Sequence, residues 1–408
     1  MIVGLGTSSF ILTAWIFVGL AILALLLFFV GLAATWRHTR RRPPRGGVAD
    51  ETLPPVSLLK PLKGLEDELE TNLESFFQQD YPAPFEIVFA TTEADDPALP
   101  VARRVAARHP EVPVRFVLSD DRFGLNPKVS NLAGALAAVR YDLVHQSDAN
   151  VRVEPGYLRS IVREMLATNA SIVTSVVIGV GERSVGAALE NLQLSAYIAP
   201  GMCLALEAAR ITCVCGKSML LRKSELEAEF GGLQSVRDVL CEDFVLGERY
   251  KRAGKTVVLS PTTVRNINAD CGAERFFARH SRWLKMRATL HLPGFLADLL
   301  SNPIGLSAIA VVVGGFDSGV AAAAVAVTLT KTLADQFAVS LTRERFPLRY
   351  LWLSVLKDLS LVPLWVFAVF SRTVVWRGRK LRFGKDTRLV PIEVRGDPAT
   401  LEPSPDRA

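Results

Sequence analysis

Residues 55–90 read PVSLLKPLKGLEDELETNLESFFQQDYPAPFEIVFA: a short apolar run, an amphipathic stretch, then a second apolar run. Residues 56–59 predict a strand. Leu65, Leu69, Leu73 and Phe76 or Phe77 recur at helical spacing, so residues 65–78 predict a helix. Pro82 and Pro84 punctuate the chain, and residues 85–90 predict the next strand. The alternation continues outward, with helical faces at 99–108 and 131–139 and strands at 112–118 and 143–146. Strand and helix in alternation are the mark of an α/β class, a parallel sheet with helices on both faces. Ligands bind such sheets beyond the carboxyl ends of the strands. Lys60, Asp95 with Asp96, and Asp148 fall there. No Gly-x-Gly-x-x-Gly follows a strand and there is no Walker lysine, which removes the usual support for dinucleotide binding and nucleoside-triphosphate hydrolysis.

This ordinary globular centre lies between two apolar ends. Half of the 408 residues are hydrophobic and the mean hydropathy is +0.26, more than soluble domains carry. Residues 8–34, SSFILTAWIFVGLAILALLLFFVGLAA, hold no charge and exceed the roughly 20 residues that cross the hydrocarbon layer. Arg37, Arg40, Arg41, Arg42 and Arg45 follow this run. A cleaved signal peptide would carry its basic region first, so the run reads as an anchor with its N-terminus outside.

Near the other end, residues 303–330 are apolar apart from Asp317, and 350–370 apart from Lys357 and Asp358. Ionisable groups facing lipid are costly, so a pair or an interhelical site is expected for them. Arg372, Arg377, Arg379, Lys380 and Arg382 come next. Basic clusters beside spans are expected on the cytoplasmic side. The net charge of +6 therefore reads as membrane topology rather than nucleic-acid binding. One early and two late spans place the centre and the C-terminus inside. The connection 331–349, with Lys331, Arg343, Arg345 and Arg349, would then lie outside against the charge rule, and a further short span or interfacial helix there would change the count.

The expected organisation is an anchor at 1–36, a basic linker at 37–54, a cytoplasmic catalytic domain at 55–287, and an amphipathic interfacial segment at 288–302. A transmembrane region at 303–371 and a basic cytoplasmic tail at 372–408 complete it. Abundant Ala, Arg and Gly with modest Lys suit a bacterium, hence an inner-membrane location. Five cysteines form no regular framework, and Cys213-Val-Cys215 lacks metal-knuckle spacing, so buried free thiols are expected.

An ordered set of motifs carries more. VSLLKPLKG (56–64), NLESFFQQDYP (72–82), DDPA (95–98), GLNPKVSNL (124–132) and YDLVHQSDANVRV (141–153) are followed by CVCGKSMLLRK (213–223), CEDFVLGE (241–248), RHSRW (279–283) and WRGRKLRF (376–383). In this order, over nearly the whole chain, they resemble the ceramide glucosyltransferase family. The resemblance implies a GT-A type nucleotide-diphosphosugar domain, with a mixed, mostly parallel sheet and transmembrane helices at both ends. It implies transfer of glucose from UDP-glucose to the primary hydroxyl of ceramide on the cytoplasmic leaflet, with inversion. The family signature is three acidic positions and a (Q/R)-x-x-R-W motif, which match Asp96, Asp148, Asp243 and residues 279–283.

By that resemblance Asp243, beside Glu242, is the general base that takes the acceptor proton; a helix N-cap explains the same letters, and both can hold. Asp148 would ligate a divalent cation, Mg²⁺ or Mn²⁺, that neutralises the diphosphate. GT-A enzymes commonly show Asp-x-Asp here, whereas this chain reads Asp148-Ala149-Asn150, leaving Asn150 a carbonyl oxygen to offer. Asp96 would orient uracil or ribose, or else build an Asp-Asp-Pro turn. Lys60 and Lys128 are donor-pocket candidates. Arg279 and Arg282 suit diphosphate oxygens, and Trp283 would wall the acceptor site; a juxtamembrane basic and aromatic belt is the plainer reading of the same motif. Residues 216–223 would run under the acceptor sugar. The alternatives are transfer of N-acetylglucosamine or another hexose to a hopanoid or other membrane lipid, an inactive membrane scaffold, and a processive polysaccharide synthase.

Overall fold

Apolar runs buried on both faces make the strands of one mixed sheet, as expected where helices cover each side. The computed structural model describes residues 2–41, 48–342, 346–376 and 379–392. Arg42, Arg45, Arg343, Arg345 and Arg377, and the tail from 393 on, lie outside the described residues, as does the side chain of Arg379.

The strands are β1 (Val56–Pro61), β2 (Phe85–Thr91), β3 (Val114–Leu118), β4 (Leu143–Gln146), β5 (Val151–Arg152), β6 (Ile172–Val180), β7 (Met219–Arg222) and β8 (Val257–Ile267). Their order is β3-β2-β1-β4-β7-β6-β8-β5. Pairs β1–β2, β1–β4, β2–β3 and β6–β8 are parallel; β4–β7, β6–β7 and β5–β8 are antiparallel. This is the mixed, mostly parallel sheet that the sequence leads one to expect. One core lies on each face, one around Leu58, Phe76, Phe89 and Ile161, the other around Leu59, Leu132, Leu221 and Leu246.

The helices are α1 (Ile2–Arg40), α2 (Leu69–Phe77), α3 (Ala98–Arg108), α4 (Pro127–Ala137), α5 (Tyr157–Thr168), α6 (Val185–Gln193), α7 (Ala199–Ala209) and α8 (Lys223–Phe230). They continue with α9 (Glu242–Arg252), α10 (Ala273–Leu290), α11 (Leu292–Leu300), α12 (Pro303–Val313), α13 (Ser318–Thr342) and α14 (Leu353–Phe370). The helix expected over 65–78 starts only at Leu69. Gly64 (φ +67°) and Glu68 (φ +52°) are left-handed, which no helix continues through, and Leu65 is left 67% exposed.

Among the described residues, three stretches are long and apolar enough to cross a membrane: Ser9–Arg40, Val185–Ala209 and Leu348–Phe370, with α11 and α12 forming a further pair bent by 62°. The apolar helices make the protein membrane-associated. Periodicity did not expose Val185–Ala209, which joins α6 and α7 through a π-helical turn, Leu194–Ile198. Half of it is buried, because Ala199, Met202 and Cys203 pack between β6 and Ala34 of α1.

The late apolar region also differs from a single span over 303–330. Gly315 (φ +59°) and Phe316 (φ +63°) are left-handed and separate α12 from α13. The residues read as the outer connection are helical as far as Thr342. Lys331 is thereby buried, not looped out. It pairs with Asp335 at 2.5 Å and with Asp358 at 3.3 Å, and Lys357 joins Asp358 at 2.5 Å. The costly charges of two helices thus satisfy one another.

The basic stretch after the last span is folded as well. β9 (Thr373–Trp376), β10 (Arg379–Phe383) and β11 (Leu389–Pro391) form an antiparallel sheet. Val374, Leu381, Phe383 and Leu389 pack on Leu240, just before α9. All five cysteines are free, as expected, but only Cys203 is buried; the other four are half-buried.

Candidate active site

The carboxyl ends of β1 and β4 meet the start of α4, the turn before β7 and the start of α9. Each of these termini delivers a charge. At the end of β1, Lys60 is fully buried. Its Nζ donates to the Asp148 carbonyl at 2.8 Å and to Ser147 Oγ at 3.3 Å, and lies 3.5 Å from the centre of the Phe76 ring. Burial pushes its pKa well below the usual lysine value, against the pull of the Asp148 charge. Lys60 therefore fixes the main chain at Asp148 and does not reach into the open crevice.

Asp148 follows β4. Lys128 Nζ lies 3.1 Å from its Oδ1, and Lys217 Nζ donates to its Oδ2 at 3.0 Å. Burial would raise the Asp148 pKa, but the two ammonium groups outweigh it and hold the carboxyl well below the usual range. Lys217 also donates to Asn150 Oδ1 at 2.9 Å. The Asn126 side chain caps α4, accepting from the Lys128 and Val129 amides at 2.9 and 3.2 Å, which aims the Lys128 side chain inward. There Lys128 meets Glu242 Oε1 at 3.1 Å. Burial disfavours its charge, but Asp148, Glu242 and Asp243 win and raise its pKa well above the usual value.

Glu242 and Asp243 form the first turn of α9, where the helix dipole favours carboxylates. Glu242 is buried, and its pKa is raised by burial and by Asp243 despite Lys128. Asp243 is half-buried, and its Oδ2 accepts from the Gly216 amide at 2.6 Å. It sits inside the first turn, not at the cap position, which Cys241 occupies. Any side chain at Gly216 would push on the charged groups around it. A Cβ there would lie 2.5 Å from Lys128 Nζ, 2.9 Å from Gln146 Nε2 and 3.1 Å from Asp243 Oδ2.

Lys128, Asp148, Glu242 and Asp243 are thus brought together, with Lys217 added. The sequence reading did not single out Lys217; the available signal was a lysine directly after the one glycine in Cys215-Gly216-Lys217. Asp96 makes other bonds. Its carboxylate accepts from the Gly64 amide at 3.0 Å, the Ala98 amide at 2.8 Å and Thr91 Oγ1 at 3.4 Å. It ties the β1–α2 loop to the start of α3.

The motif at 279–283 lies on α10. Arg279 is 3.3 Å from Glu190 of α6 and 4.8 Å from the Trp283 ring. His280 sits beside Glu190 and edge-on to Trp283, with its pKa lowered by burial. Among the described residues, the Arg282 side chain makes no hydrogen bond or ion pair. Burial, with Arg279 adding to it, lowers its pKa to about 10, so it stays cationic near neutral pH and free to take an anion.

No three His, Cys, Asp or Glu side chains group as metal ligands among the described residues. Mg²⁺ is commonly held by one or two carboxylates completed by substrate phosphates. Asp148 with Asn150 Oδ1 meets that minimum, although ammonium groups now take both.

Residues 16–389 match the model of glycosyl transferase family 21. Ceramide glucosyltransferase 1 of Caenorhabditis elegans is 26% identical over 363 residues, covering 85% of this chain and 77% of that protein. Ceramide glucosyltransferase 3 of the same worm is 27% identical over 253 residues, and ceramide glucosyltransferase of Komagataella phaffii 29% over 277. They cover 60% and 61% of this chain, and it spans about half of their length, 53% and 52%. Among solved structures, a Pyrobaculum calidifontis mannosyltransferase in complex with GDP-Man and Mn²⁺ aligns over 87% of this chain and 98% of its own, at 17% identity and a TM-score of 0.48.

Proposed function

This chain belongs to glycosyl transferase family 21, and from that premise we propose that it moves glucose from UDP-glucose to the primary hydroxyl of ceramide. The coarser part of this statement, a UDP-sugar-dependent glycosyltransferase acting on a lipid, is what the family carries. Glucose and ceramide are our reading, supported by the relatives' names and by the motifs around Lys128 and Asp148.

One observation carries the chemistry: the grip of Lys128 and Lys217 on Asp148 next to the Glu242–Asp243 turn. A departing UDP gains charge on its diphosphate, and ammonium groups already gathered at a half-buried carboxylate stabilise that charge without reorganising. Asp243, half-open and oriented by the Gly216 amide, takes the proton of the acceptor hydroxyl. The hydroxyl oxygen attacks the anomeric carbon from the face opposite UDP. The bond from that carbon to the β-phosphate oxygen breaks, and the anomeric configuration inverts. Arg282, with no hydrogen-bond or ion-pair partner among the described residues, joins the diphosphate. Asp96 shapes the loop on which uridine rests, and Trp283 walls the acceptor side. A divalent cation at Asp148 supplies further neutralisation of the leaving group when bound. The catalytic centre faces the cytoplasm, where UDP-sugars are available.

The test is to incubate detergent-solubilised protein with UDP-glucose or UDP-N-acetylglucosamine and either ceramide or a hopanoid polyol, and to weigh the products. Glucosylceramide is expected, and transfer to the hopanoid alone would overturn the assignment.

A further inference from the structure

A cavity of about 40 Å³ lies where α10, α11 and α14 meet the π-helical turn after α6. Single π-turns inside helices occur frequently at functional sites. Trp283, from the motif on α10, forms part of the wall, so the cavity adjoins the catalytic domain. Leu284, Leu361 and Trp365 supply apolar surface beside it.

The charges on the wall are all committed. Arg287 pairs with Asp298, and Lys331 with Asp335 and Asp358. The Tyr197 hydroxyl donates to Asp298 at 2.8 Å, and Asn302 Nδ2 to the Asp358 carbonyl at 2.7 Å. Beyond these charges, two buried polar atoms on the wall are left without a hydrogen bond among the described residues. One is His280 Nε2, which has Glu190 beside it at 3.5 Å; the other is Oε1 of Gln193, a residue only 2% exposed. An acceptor buried this deeply without a donor is costly, and the cost is removed when something in the cavity donates to it.

We infer that this cavity recognises the uncharged polar headgroup of a membrane lipid, whose hydroxyl or amide hydrogen bonds to Gln193 Oε1. The two cations and two anions on the wall balance, and no spare cation is available to meet a phosphate. The volume suits a few polar atoms, and the apolar side chains suit the chain that follows them. The inference rests on the lipid-acceptor reading above and adds the subsite and the headgroup class.

Two measurements test it on the full chain in detergent micelles. In the first, N-hexanoyl-sphingosine and its 1-phosphate are titrated while tryptophan fluorescence is followed, since Trp283 and Trp365 line the cavity. The neutral lipid should bind at least about tenfold more tightly, the scale of one charge-assisted mismatch; equal binding by the phosphate overturns the inference. In the second, Gln193→Leu removes the acceptor atom and Leu361→Trp fills the space. Each should raise the KM for the neutral lipid about tenfold while leaving UDP affinity unchanged. Unchanged acceptor KM in both folded variants overturns the cavity assignment. If the wild type binds UDP-glucose yet transfers to no lipid, the functional proposal itself is what fails.

Discussion

Asp243 and Glu242 are neighbours with the same chemistry, yet their surroundings separate them. Asp243 is half-open, with one oxygen oriented by the Gly216 amide. Glu242 is buried between Lys128 and the Asn126 side chain. Asp243→Asn should therefore lower transfer by about 10²–10⁴-fold, the usual worth of a general base, with UDP affinity unchanged by calorimetry. An equal loss of UDP binding would make Asp243 a donor ligand instead. Lys217→Ala removes one of two cations from Asp148 and should weaken UDP binding about tenfold or more. Glu242 gives a pH signature. Its pKa is raised above 4.5, so the unfolded state releases this proton first as pH rises. The stabilising contribution is complete below about pH 4.5 and is lost as pH climbs through the folded value. Glu242→Gln should flatten the decline of Tm over that interval, and parallel Tm profiles for the two proteins would refute it.

At the scale of elements, the small C-terminal sheet bears on the start of α9. Leu240 and Cys241 donate to Thr387, and Leu389 donates to the Asp238 carbonyl at 2.6 Å. Phe383, fully buried, anchors this contact. Phe383→Ala should cost about 3–5 kcal/mol of local stability and loosen the turn that carries Glu242 and Asp243. Hydrogen exchange at residues 238–243 should speed up in the variant, while exchange in β1 and β2 stays as it was. The helix α11 presents Leu292, Leu296 and Leu300, each about half exposed, at spacings of four. Such a stripe is the form of a helix lying in a membrane surface.

Across the whole molecule, the apolar helices and the catalytic sheet share packing. Ala34 of α1 contacts β6 residues and α7 in one cluster, and Phe28 joins α6 residues and α13 in another. The buried quartet of Lys331, Asp335, Lys357 and Asp358 holds α13 to α14. Asp335→Ala would leave two ammonium groups facing one carboxylate. The expected loss is about 3–5 kcal/mol, read as a lowered Tm in detergent; an unchanged Tm would show the quartet to be hydrated. EDTA should reduce turnover, and Mg²⁺ or Mn²⁺ should restore it, if Asp148 takes a cation from the donor complex.

The alternation in residues 55–146 determined the parallel half of the sheet, because an apolar strand and an amphipathic helix have different periods that short stretches display. The anchor was equally legible, since 27 uncharged residues leave no other use. Lys60, Asp148 and Asp243 could be placed at element ends by position alone. What they touch could not. Lys217 lies 69 positions from Asp148 and Gly216 lies 27 from Asp243, and only the antiparallel insertion of β7 beside β4 brings them together. Val185–Ala209 does not stand out in the sequence, because its mean hydropathy of 1.2 is far below the 3.0 of the anchor. The break between α12 and α13, and the burial of Lys331, depended on left-handed residues and on a partner charge in another helix. Local spacing determines which elements form; the meeting of distant charges is decided by how those elements pack.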